Sequence, residues 1–176
     1  NLPRSDRFKA ENVILVGLMP SPEVPKTDEI NNYLEPIVDE LIQLYRGVRI
    51  PTFESPAGEM IRAALMMVAC DIPAARNTSR FTAHNSTCAC FKCNRHFTRL
   101  DSTSKIDFRG FKESEWCRRN CEENRLHAEE WKNAVTISER QHLEIKNGVR
   151  WSQLHCLGYF DLVRGTIIDP MHNLFL

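Results

Sequence analysis

Ala64-Leu65-Met66-Met67-Val68-Ala69-Cys70-Asp71-Ile72-Pro73 is the stretch on which the fold turns. Seven apolar residues end abruptly at an aspartate, and a proline follows two residues later. Ala, Leu and Met favour helices. The run is nevertheless short for a buried helix, and Asp71-Ile72-Pro73 would stop it, so it reads as a buried strand. A helix then starts near Pro73, because proline suits the first helical turn. This places Asp71 at the C-terminal end of a strand, where open α/β sheets put working groups. The same spacing also fits a plain helix cap.

Upstream, Val13-Ile14-Leu15-Val16-Gly17-Leu18 is a second short, β-branched run and predicts another strand buried on both faces. Pro20, Pro22 and Pro25 end it. Ile30, Tyr33, Leu34, Ile37, Val38, Leu41, Ile42 and Tyr45 then recur at helical spacing. Thr27 can cap that helix, with Asp28 and Glu29 at its positive end, and Gly47 can stop it. Pro36 inside it predicts a kink, or a helix that starts near Glu35. The stripe predicts core packing and no chemistry. Strands alternating with an amphipathic helix give an α/β layer fold.

The chain has 176 residues, 42% of them apolar and 26% charged, which fits one globular domain and not a disordered chain. No apolar run is long enough for a membrane span, and no basic-then-apolar leader opens the chain. The start at Asn1 and the stop at Leu176, inside the apolar run Met171-His172-Asn173-Leu174-Phe175-Leu176, read as the ends of an internal piece of a longer protein. Lys plus Arg and Asp plus Glu both count 23. Nucleic acid could therefore be held only through a local patch or with help from other sequence. One such patch exists. Between Ile72 and Leu100 stand Arg76, Arg80, Lys92, Arg95 and Arg99 and no acidic residue. They suit phosphate contact or a solvated surface equally well.

Seven cysteines, an odd number, argue for metal before disulfides. Cys90 and Cys93 form a Cys-x2-Cys knuckle, which presents two thiolates to one tetrahedral ion, usually zinc. His84 is a nearby further ligand, Cys88 and His96 are alternatives, and His172 is remote in sequence. Asp169 can cap a helix opened by Pro170; the dipole there would keep the His172 imidazole neutral, the form that binds metal. Thr166 to Ile168 reads as a short strand before it. Residues 101–110 read as a loop. Residues 112–135 read as a charged helix with Cys117 and Cys121 on one face, either ligands or small packing residues.

Several motifs occur together in a fixed order: Leu2-Pro3-Arg4 with Glu11 to Gly17, Cys70 to Arg76, the His84…Cys90-x2-Cys93 knuckle, Gly148 to Ser152, Tyr159-Phe160-Asp161, and Ile168-Asp169-Pro170-Met171-His172-Asn173-Leu174-Phe175-Leu176. In them the chain resembles the catalytic core of the transposases of CACTA (En/Spm-type) DNA transposons, nearly end to end. The resemblance implies an incomplete RNase H-like sheet with helices and a zinc-knuckle and helical insertion. Residues 1–83 would form the first part of one partial catalytic domain spanning 1–176, 84–147 the insertion, and 148–176 the return to the core. It implies a triad of two aspartates and a glutamate using two Mg2+ to cut and join DNA at transposon ends, in the nucleus. Asp71 matches the second acid. Cys90 and Cys93 match the family knuckle, and Asp169 with His172 matches its Asp-x2-His. The knuckle and His172 would come together over Zn2+, with His84 as fourth ligand. The other two acids would lie outside the chain, leaving this piece inactive alone. Self-association is compatible with this reading. Asn77 and Arg80 stand where the family has Lys and Gly, and Leu162 where it has Pro, which reads as drift in a decaying or fragmentary copy. The rival expectation is a non-enzymatic, zinc-stabilised interaction domain derived from a transposase.

Overall fold

The computed structural model describes residues 2–19, 25, 29–101, 103–109, 112, 114, 116–169 and 171. The cap expected at Thr27, the acid Asp28 beside it, and the box residues Pro170 and His172 lie outside the described residues. Helix α1 (Ile30–Arg46) follows the apolar stripe and buries Ile30, Leu34 and Val38. It runs through Pro36 to Gly47, whose positive φ of 112° and N–H bond to the Gln43 carbonyl end it. An antiparallel hairpin comes next, β1 (Val48–Ile50) against β2 (Glu59–Ile61), which no periodicity announces. Then come β3 (Val68–Cys70), α2 (Ile72–Ser79), α3 (Cys121–Asn133) and α4 (Ile137–Asn147). After a 3₁₀ turn at Gln153–Cys156, α5 (Leu162–Gly165) leads into β4 (Thr166–Ile168). Strand β4 lies parallel to β3, pairing Val68 with Thr166 and Cys70 with Ile168.

Three expectations need correction. Residues 13–18 form no strand. They are irregular and exposed, Ile14 by 85%, and no strand pairs with them among the described residues. A β-branched run without a ladder leaves its backbone groups to water and gains nothing from pleating. The strand expected over 64–70 is only as long as its partner β4, three residues, and Met66 and Met67 are exposed ahead of it. The charged helix begins at Cys121, not near 112. Asn120 caps it by accepting the Glu123 N–H at 2.8 Å, and the residues before it are held extended against the cysteine loop. Cys117 therefore does not share a helix face with Cys121.

Among the described residues, two apolar clusters organise the interior. Ile30, Leu34 and Val38 of α1 pack with Leu154, Leu157, Phe160 and Leu162. Phe81, Ala128, Val149, Trp151 and Val163 form the second cluster. The segment from Val149 to Val163 contributes to both.

Candidate functional site

Asp71 is held by the start of α2. Its backbone is extended, Pro73 occupies the second helical position, and its Oδ1 accepts the Ala74 N–H at 2.7 Å. The residue is thus a helix N-cap as well as a strand-end acid. Asp169 follows β4, and its N–H donates to the Cys70 carbonyl at 2.9 Å. Its Oδ1 accepts the Met171 N–H at 3.1 Å. Because Cys70 and Ile168 are in register, the two aspartates step off adjacent parallel strands at the same end. In each, a backbone N–H occupies one acceptor position of a group that offers about four.

The cysteine loop is built differently. Cys90 Sγ accepts the Lys92 N–H at 3.4 Å, and the Arg95 backbone N–H is directed at Cys93. Cys93 is fully buried beside Cys90, and burial pushes its thiol up to about 11. Burial also raises the Cys88 thiol, against the opposing Arg119 guanidinium, which donates to its sulfur at 3.1 Å. His84 and His96 are exposed. Among the described residues no three His, Cys, Asp or Glu side chains converge on one point, so His84, Cys90, Cys93 and Asp169 are not assembled into one cluster.

The basic stretch divides. Arg80 is 1% exposed, in a left-handed conformation at the C-cap of α2, and donates from Nε to the Trp151 carbonyl at 3.0 Å. Arg76 spans the Thr82 and Ala89 carbonyls, and burial lowers its pKa. Lys92 Nζ holds the Val163 and Thr166 carbonyls, again with its pKa lowered by burial. These three tie loops together through main-chain carbonyls. Charge counting cannot see this, because the acceptors are main-chain carbonyls. Arg95 lies over the Phe97 ring, and Arg99 is exposed and donates to the Ser104 carbonyl.

Two further carbonyl-bound cations lie outside the basic stretch read from the sequence. Arg119 is buried and reaches the Cys90 and Asn147 carbonyls. Arg125 on α3 spreads over the carbonyls of His155, Leu157 and Phe160 at 2.6–2.8 Å. The Arg118-Arg119 pair is the one local signal that could have drawn attention to this region.

Residues 1–140 match the model of the transposase family tnp2. The chain belongs to that family. No curated protein and no solved structure matches it. Among the described residues, no helix is long and apolar enough to cross a membrane.

Proposed function

We propose that this chain carries part of the catalytic core of a DNA transposase of the CACTA type, with Asp71 as one of the metal-holding carboxylates of an RNase H-like sheet. The observation that carries this reading is the parallel β3–β4 pair. It sets Asp71 and Asp169, 98 positions apart in the sequence, side by side at one sheet end. Divalent ions held by such carboxylates clamp the attacking and leaving oxygens of phosphoryl transfer. The chain's own part is to present hard oxygen ligands on a rigid strand pair. The caps fix the carboxylates: the Ala74 and Met171 N–H groups orient one oxygen of each. DNA in the nucleus is the substrate. Asp71 is the triad acid that the resemblance implies, and Asp169 beside it is a second carboxylate able to share a divalent ion.

Mn2+ titration followed by electron paramagnetic resonance tests the pair. Asp71→Asn and Asp169→Asn should each weaken binding roughly tenfold or more, since even losing a supporting group costs about that much. Unchanged Mn2+ affinity in both variants would remove the basis for a catalytic role.

A second reading, a zinc-stabilised interaction domain without catalysis, is favoured by the N–H groups aimed at the Cys90 and Cys93 sulfurs. Those two residues supply soft thiolate ligands of the kind zinc takes. They make two of the four ligands such a site needs, and His84 is not beside them. Metal analysis should find about one zinc per chain. Cys90→Ser and Cys93→Ser should each abolish it, and retention of zinc in both would exclude the knuckle.

A further inference from the structure

A cleft of about 470 Å³ opens between the cysteine loop, the start of α3 and α5. Among the described residues four cations line it, Lys92, Arg118, Arg119 and Arg164, against one carboxylate, Asp161. That carboxylate caps α5, its Oδ1 accepting the Val163 and Arg164 N–H groups at 2.9 and 3.0 Å, and its charge also acts on Lys92, which leaves the cleft with a net positive lining. Lys92 and Arg119 are pinned by main-chain carbonyls and form a fixed basic floor. Arg118 and Arg164 are exposed at the rim, and among the described residues neither guanidinium forms an ion pair. Arg118 lies over the Trp116 ring, 5.8 Å from its centroid. A pinned floor with two forked arms above it suits an anion with several oxygens, such as a phosphodiester.

We propose that this cleft grips the phosphate backbone of DNA through Arg118 and Arg164, over the floor made by Lys92 and Arg119. The assignment to DNA rests on the transposase reading; the basic cleft itself does not. Charge patterning points to Arg76, Arg80, Lys92, Arg95 and Arg99; of these only Lys92 lines the cleft, as a carbonyl-bound part of its floor. The arms lie elsewhere. Arg164 is five residues before Asp169, so the two backbones are at most about 18 Å apart. At about 3.4 Å per base pair, roughly five base pairs cover that distance. One short duplex can therefore reach both the cleft and the aspartate pair.

Fluorescence anisotropy of a labelled duplex with the whole chain, at several salt concentrations, tests the proposal. Arg118→Glu with Arg164→Glu should weaken binding at least about tenfold, and the slope of log K against log salt should fall by about 2, one for each phosphate no longer neutralised. Arg46→Glu with Lys105→Glu, the same charge change at exposed positions that do not line the cleft, should leave binding within about twofold. Circular dichroism should show both double variants folded. Full binding by the first double variant would overturn the proposal, and so would an equal loss in both. Competition by inorganic phosphate at micromolar concentration would overturn it too, by making the cleft a site for a free anion. If the unmodified chain binds no duplex, the DNA-directed reading itself fails, a result distinct from loss of the cleft assignment.

Discussion

Arg125 shows how single cations hold this chain together. Its guanidinium leaves α3 and satisfies three carbonyls of the 155–160 turn. Removing it orphans three acceptors at once, each half-buried and each costing about 1–3 kcal/mol if water cannot replace the donor. Arg125→Ala should therefore lower unfolding stability by about 3 kcal/mol or more in urea titrations. Arg125→Lys should recover only part of that, because an ammonium lacks the planar fork. A loss under about 1 kcal/mol would show that water replaces the guanidinium. His155, in the same turn, gives a pH signature. Its Nδ1 accepts the Ser152 N–H at 3.0 Å, and its Nε2 faces Asn124 Oδ1 at 3.1 Å, which fits a neutral ring protonated on Nε2. Burial, chiefly, pulls its pKa down to about 4. Unfolded, it titrates near 6.5. Between those values the unfolded chain binds more protons, so stability rises with pH through that window and falls on acidification. This group alone should remove on the order of 3 kcal/mol between pH 7 and pH 4. His155→Gln should flatten that part of the pH–stability curve, and an unchanged curve would mean the imidazole is solvated.

At the scale of elements, exposure separates the two apolar stretches that the sequence makes look alike. Leu34 on α1 is buried against the 154–162 segment, whereas Ile14 stands in water. Leu34→Ala should cost about 2–5 kcal/mol. Ile14→Lys should change stability by less than about 0.5 kcal/mol. A large loss from Ile14→Lys in a chemical-denaturation series would restore the buried strand expected there. Helix α1 is legible in the sequence because a 3.6-residue stripe and a stop glycine report local rules. The turn from β3 into α2 at Asp71 is legible for the same reason: its aspartate, its proline and the apolar run before it act within a few residues. The β1–β2 hairpin is not, since its strands are three residues each and too short to show alternation. Parallel pairing of β3 with β4 depends on contacts between residues almost a hundred positions apart, so no local pattern encodes its register. The carbonyl-bound cations are illegible for a related reason, because a main-chain acceptor has no letter in the sequence.

At the scale of the whole molecule, the two apolar clusters are not independent bodies. The segment from Val149 to Val163 places Val149, Trp151 and Val163 in one and Leu154, Leu157, Phe160 and Leu162 in the other. Arg125 adds a second link, since α3 supplies Ala128 to the second cluster while the guanidinium holds the turn that feeds the first. Opening either cluster must therefore release residues of the other, which makes unfolding one cooperative event. Leu162→Ala tests this, because Leu162 is fully buried in the first cluster and neighbours Val163 in the second. Its loss of about 2–5 kcal/mol should appear equally in hydrogen exchange from α1 and from α3, whose slowest amides open only with global unfolding. Faster exchange in α1 with α3 unchanged would mean that the clusters unfold separately, and that the strand carrying Asp169 is anchored to one of them alone.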